Sequence, residues 1–536
     1  MKFRNIYPIN VALLSFIMLG LLIITGCDIT NPTDGVKTKL NTKTRTTTVS
    51  ILFLDARTGQ PIGYEDATPV HAQISGNDSN NIIDLFNRPK TEFTASNGFL
   101  SFAINDAIIP GKGSDQVEFN VLAQAPGYIT TAQPVTIDHS GGNSLEIRMV
   151  NRNRLPAGVT GESSLSVGSL DQNGSTSDAI NFASTENSEV NNSVSVKVNE
   201  NTIITDENGR PLTGQITADY NVFNTNEESA IQSFPGGLSP KTSNAPDGSD
   251  RLSFKPAGLF SLEIKDENNN YARQFDQPLQ IGMEIDSDFT NHSGESYTHG
   301  DEIEVWSFDT ETGLWSFEST TNITEGTNNK LKAKFEVPHL SYWTVTSTGA
   351  VCEEGVTLNL SGSNQQIKAK YYEYDTGDYL GSATSRKTDD GYRVIELKNT
   401  PDDVDGKIKL FDMNDNLIKT LSPVDLCSNS IDVDVSSEDE LTVTFEGKGV
   451  CSDGSDIEVH PSFPAYFKLA GNSSWTYAGE VEDGSLEVTF PTPGDYLLGA
   501  DYEEEFYEYE FDLNDAEDGD LIEKDIELPQ NVCDDV

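Results

Sequence analysis

Bases, histidine and cysteine are all scarce in this chain. Its 536 residues include six histidines, five cysteines and four tryptophans, and 35 bases stand against 86 acids, a net charge of −51. So few Lys and Arg exclude the sequence-independent grip on phosphate that nucleic-acid binding needs. We therefore expect no nucleic-acid partner. An acidic surface of this kind also repels anionic lipid head groups and keeps the chain soluble by self-repulsion. No CxxC pair occurs, which argues against a zinc knuckle or a thioredoxin-like centre. HExxH and a strand-flanked GxSxG elbow are missing too. There is no amphipathic helix with caps. One long apolar stretch exists, from Val11 to Ile24.

That stretch follows Lys2 and Arg4 and ends in Leu22-Ile23-Ile24-Thr25-Gly26-Cys27. The order of basic, apolar and small-residue segments is that of a secretion signal. The apolar run falls short of the roughly 20 residues of a membrane span. A Cys directly after Thr-Gly resembles the lipobox of bacterial lipoproteins. The resemblance implies a signal peptide over 1–26, cut before Cys27, and acyl chains such as palmitate on Cys27. The membrane would then be a partner through the lipid anchor. The chain would sit in the cell envelope, at the outer membrane or cell surface rather than the inner membrane. Cleavage would leave 510 residues and remove Lys2 and Arg4 but no acid, taking the net charge to −53. Residues 27–46 are rich in Thr, Asn and Lys without apolar periodicity, and read as a flexible tether.

Everything after the tether reads as all-β: tandem β-sandwich domains of Ig-like or transthyretin-like type. Short Val/Ile/Phe/Thr/Tyr runs alternate with Asp-Gly, Asn-Gly, Gly-Gly and Pro-Gly punctuation. Residues 47–150 form the first expected domain. It opens with strand Thr48–Leu54, then Asp55-Ala56-Arg57-Thr58-Gly59-Gln60-Pro61-Ile62. There the Asp side chain can cap a turn, Gly can take positive φ and Pro restarts the extended chain. Later come Ala125-Pro126-Gly127-Tyr128 and a final strand to Val150. This series resembles the carboxypeptidase regulatory-like (transthyretin-like) domain, a β-sandwich that implies a fold and no particular function.

Residues 160–350 form the second. Its markers are Asp206-Glu207-Asn208-Gly209-Arg210-Pro211-Leu212-Thr213-Gly214, Phe234-Pro235-Gly236-Gly237-Leu238, Trp306-Ser307-Phe308-Asp309-Thr310-Glu311-Thr312-Gly313-Leu314-Trp315 and Val337-Pro338-His339-Leu340-Ser341-Tyr342-Trp343. In this order they are similar to a module of bacterial surface lipoproteins that also occurs in animal cartilage intermediate layer proteins. The resemblance implies an extracellular sandwich without catalysis. Trp306, Trp315 and Trp343 are candidates for a sugar-stacking platform, set against the commoner role of tryptophan as a core anchor.

Four cysteines lie in the last third, an even number that suits two disulfides in an exported chain and allows three pairings. Cys352 and Cys427 bracket an expected domain over 351–436. Cys451 and Cys533 belong to another over 437–536. The positions look like the first- and last-strand cysteines of carboxypeptidase regulatory-like domains, which implies the pairs 352–427 and 451–533. A Cys427–Cys451 clamp between the domains remains the alternative.

Candidate chemistry is sparse. His292-Ser293-Gly294-Glu295, with His299 nearby, has the HxxE spacing of zinc carboxypeptidases, but it lies in a polar loop where such residues are usually just solvated. Paired carboxylates for glycoside hydrolysis are expected by chance among so many acids, and only their separation in space decides the matter. No cofactor is expected, with calcium as the one candidate ion. Its candidate ligands are Asp412 and Asn414 in Asp412-Met413-Asn414-Asp415-Asn416, and Asp518 and Asp520 in a stretch resembling half an EF-hand loop. That stretch lacks a ligand at Ala516 and has Asp525 where Glu is usual. Residues 495–536 hold 17 acids against Lys524 alone. Within them, Tyr507, Tyr509 and Phe511 alternate with Glu508, Glu510 and Asp512, as on a strand with an aromatic inner face and a charged outer one.

These readings lead to an anionic series of β domains projecting from a lipid-anchored tether. Its role would be structural, adhesive or ligand-binding and non-catalytic, with a polysaccharide or protein partner. A carbohydrate-capture accessory role and a hydrolase with an unrecognised site are the alternatives.

Overall fold

The computed structural model describes residues 38–41, 45–111, 116–185, 190, 192–326, 330–388, 390–402, 404–437, 439–450, 457–502 and 505–527. Cys27, Cys451, Cys533 and the whole of 1–26 lie outside these residues. Among the described residues the architecture is β almost throughout, with a single α-helix, Glu228–Ile231, of four residues.

The strand Thr47–Asp55 is buried at every position. Alternation is absent because both of its faces are covered, the condition under which a strand reads as an unbroken apolar run. On one side it belongs to the sheet Ile82–Ile83, Phe99–Ile104, Thr47–Asp55, Gly141–Met149. That sheet packs on a second one made of Glu92–Ala95, Val70–Ser75, Val117–Gln124 and Thr131–Ile137. Thr47–Asp55 pairs antiparallel with Phe99–Ile104 and parallel with Gly141–Met149.

The same plan recurs twice. Val356–Ser361 pairs antiparallel with Arg393–Leu397 and parallel with Ser430–Asp434. Leu441–Val450 does so with Ser485–Phe490 and Asp520–Glu527. Each of these sheets faces a four-stranded partner of matching order. Between the first and second copies, residues 159–349 build a larger sandwich of a seven-stranded and a five-stranded sheet.

The motif halves meet in space. Asp55 Oδ1 accepts the backbone N–H groups of Arg57 and Thr58, and Gly59 has φ 68°. The Tyr128 hydroxyl then donates to Asp55 Oδ2 at 3.0 Å. In the larger sandwich Asp309 caps its turn in the same way, Gly313 has φ 73°, and Trp315 Nε1 donates to the Pro235 carbonyl at 2.8 Å. Phe234 stacks on Trp315 with ring centroids 4.9 Å apart.

Two expectations about the long-range layout need correction. The tether is not unstructured along its whole length: Thr38–Asn41 pairs in parallel with Ile457–His460 on the fourth sandwich. A sheet edge accepts an extended segment through backbone hydrogen bonds whatever its side chains. Nor do the sandwiches project as a series, because the fourth packs back on the first. Leu52, Leu54 and Phe99 of the first share an apolar cluster with Tyr466 and Trp475 of the fourth. Phe99 stacks on Phe506 at 4.2 Å.

Candidate functional site

The four sandwiches converge on a cavity of about 670 Å³. The strand Lys368–Glu373 of the third sandwich explains how it is built. Ala369 enters its own core, and Lys368 and Lys370, two residues apart, fall together on the opposite face. There they meet acids of other sandwiches. Lys368 Nζ lies 2.6 Å from Glu146 Oε1 of the first, and Lys370 Nζ lies 2.8 Å from Glu228 Oε1 of the second. Tyr372 Oη donates to the other oxygen of Glu228 at 3.0 Å. Lys398 pairs with Asp138, and Lys255 reaches Glu373 at 3.2 Å. The scarce bases of this chain thus join its sandwiches.

These contacts set the titration of the acids. Burial alone would raise Glu146, but Lys368 and Arg148 outweigh it and hold the carboxyl down at about 2. The hydrogen bond from His139 and the pairing with Lys398 hold Asp138 far below the carboxylate range. Glu480 is the opposite case. It accepts from Thr48 Oγ1 at 2.7 Å across the first–fourth junction and from Tyr477 Oη of its own strand at 2.6 Å, and burial pushes its carboxyl up.

Five bases line the cavity: Arg148, Arg251, Lys368, Lys370 and Lys398. Three acids do: Glu146, Asp412 and Asp415. The whole chain has the inverse balance. Tyr371, Tyr379, Trp475 and Tyr477 supply aromatic surface. Burial raises the Tyr379 phenol to about 12, so it is neutral. Arg251 Nη1 donates to the Ser239 carbonyl rather than to a carboxylate. Trp475 Nε1 is buried without an acceptor.

None of the side chains singled out as sugar platform lies here. Trp306, Trp315 and Trp343 are each 0% exposed. Trp306 and Trp315 sit in the apolar seam between the first two sandwiches, and Trp343 in the core of the second. A platform of these three rings is therefore excluded, because no face reaches solvent.

The expected calcium ligands are engaged in turns. Asp412 Oδ1 accepts the N–H groups of Asn414 and Asn416, and Oδ2 accepts Asn416 Nδ2. Asn414 Nδ2 donates to Tyr496 Oη across the third–fourth junction at 3.1 Å. Asp518 Oδ1 takes the N–H of Thr442, and Asp520 Oδ2 that of Glu517. Asp206 and Asp266 cap turns of the same form. His292 Nε2 contacts the Ser253 carbonyl at 3.0 Å, and Glu295 bonds Asn291. Among the described residues, the only cluster of metal-ligating atoms is Cys352, Asp402 and Cys427. Its two sulfurs are joined as a disulfide with Cα atoms 5.7 Å apart, which excludes the Cys427–Cys451 alternative.

On the C-terminal edge strand Glu505–Asp512, Phe511 is buried while Glu508, Glu510 and Asp512 are exposed, as the alternation requires. Glu508 accepts from the Tyr64 hydroxyl of the first sandwich. Arg148, Lys368, Lys370 and Trp475 were not singled out from sequence. The spacing Lys368-Ala369-Lys370 in so acidic a chain is the signal that points to them.

No family model and no curated protein matches this chain. Among solved structures it is similar to the Bacillus anthracis TIE protein, at 10% identity over 86% of this chain and 69% of that one, with TM-score 0.13. It is similar also to the major pilin subunit of Bacillus cereus, at 9% identity, 89% and 99% coverage and TM-score 0.12. For the full-length RrgB pilus protein from Streptococcus pneumoniae the values are 9% identity, 91% and 100% coverage and TM-score 0.15. At these scores the superpositions carry no argument about role. No helix of the described residues is long and apolar enough to cross a membrane.

Proposed function

We propose that this protein is an exported, lipid-anchored component of a bacterial cell envelope that works without catalysis, as a structural or adhesive body. The observation that carries this reading is the use of its reactive side chains. The carboxylates Glu146, Asp138 and Glu480, and the candidate metal ligands Asp412 and His292, are each held in a tie or a turn. The disulfide between Cys352 and Cys427 suits an oxidising compartment outside the cytoplasm. The signal-like segment ending at Cys27 supplies the anchor in this reading.

Labelling with radioactive palmitate tests it. Label is expected in the wild type and not in Cys27→Ala. Equal labelling of both proteins, or none in the wild type, overturns the anchor. Protease treatment of intact cells should release fragments if the body faces outward. Full protection in intact cells would place it inside the envelope and remove the adhesive role.

A further inference from the structure

We propose that the four-sandwich cavity is a binding site for an acidic saccharide, a hydroxylated ring bearing a carboxylate. This goes beyond the envelope role and does not depend on the lipid anchor. A cavity of about 670 Å³ is of the size that encloses small ligands. Its lining has the chemistry of such a ligand. Arg148 and Lys368 share the single carboxylate of Glu146. Lys370 adds a third positive charge against Glu146 and Glu228. The cluster is therefore one positive charge in excess. Arg251, on the same lining, has a guanidinium that meets a carbonyl instead of an acid. An arginine fork matches a carboxylate in two parallel hydrogen bonds.

The far-field charge of the chain does not cancel this local excess. At physiological salt, charges beyond roughly 8 Å are largely screened, so the groups on the wall decide what enters. The rest of the lining selects a sugar over a bare anion. Neutral Tyr379, with Tyr477, offers flat apolar surface for ring faces. Gln133, Ser144 and Thr384 offer partners for hydroxyl groups.

Isothermal titration calorimetry of the full chain tests the proposal, with trigalacturonate, its fully methyl-esterified form and inorganic phosphate as probes. Trigalacturonate is expected to bind one per chain. Esterification, which removes charge and keeps the rings, is expected to weaken binding by about tenfold or more, the effect of losing one charge-assisted contact. Arg148→Gln and Arg251→Gln should each weaken it by about tenfold too. Glu146 keeps Lys368 in the first variant and the Ser239 carbonyl loses its donor in the second, so a melt of each variant is recorded beside its binding. In wild-type protein, bound trigalacturonate should protect Lys368 and Lys370 from acetylation, read by mass spectrometry, which keeps the test valid should a variant fail to fold. The proposal is overturned if no heat is seen with trigalacturonate, if the ester binds equally, or if protection falls elsewhere. Phosphate binding as tightly as the sugar would overturn its saccharide part.

Discussion

Replacing Glu146 with Gln removes the carboxylate shared by Lys368 and Arg148 and should loosen the join between the first and third sandwiches. The carboxyl titrates at about 2 in the folded chain against 4.5 for a free one. At 1.36 kcal/mol per unit, that shift corresponds to about 3 kcal/mol of stability near neutral pH. The side chain is 32% exposed, so screening by solvent reduces the figure to about 1–2 kcal/mol. Because the folded value is depressed, the stabilisation is complete above the unfolded value and is lost as pH falls from about 4.5 toward 2. Calorimetric melts of the full chain from pH 7 to pH 2 read this directly. Glu146→Gln should melt a few degrees lower at pH 7, on the usual scale of about 2–4 °C per kcal/mol for a body of this size. The gap should close as pH approaches 2, where the wild-type carboxyl also becomes neutral. Identical melting at pH 7, or a gap that persists unchanged at pH 2, would refute the reasoning.

Reducing Cys352–Cys427, or replacing Cys352 with Ser, should destabilise the third sandwich by about 4 kcal/mol on the loop-entropy account, seen as faster proteolysis within 351–436. Trp315→Ala removes the stack on Phe234 and the bond to the Pro235 carbonyl, and should cost about 3–5 kcal/mol in urea denaturation. Asp412→Ala leaves two turn N–H groups without their acceptor and should cost about 1–3 kcal/mol, while millimolar calcium should leave the wild-type melt unchanged. A calcium-dependent rise in melting temperature that Asp412→Ala abolishes would establish the ion site.

The local structure was legible because its signals are short-range. Asp55, Gly59 and Tyr128 announce a capped turn and its partner, and Phe234, Asp309 and Trp315 announce another. The alternation at Tyr507–Asp512 gives the faces of an edge strand. What escaped is what depends on contact between distant segments. Thr47–Asp55 reads as an ordinary buried strand, and nothing in its sequence says that the fourth sandwich covers its second face. Lys368-Ala369-Lys370 reads equally well as a solvated strand face or as a join to acids of two other sandwiches. The calcium expectation rests on a pattern with two chemical readings. An acid followed by Asn at alternate positions suits both an ion loop and a turn whose carboxylate binds its own backbone.

The account rests on the four sandwiches closing on one another around a shared cavity, and solution X-ray scattering of the chain from Asp28 onward tests that most directly. A compact body of this length has a radius of gyration of about 24 Å. We expect a value near it, with a single-peaked distance distribution. A much larger radius with several resolved peaks, as from sandwiches strung end to end, would contradict the closed arrangement and the cavity with it.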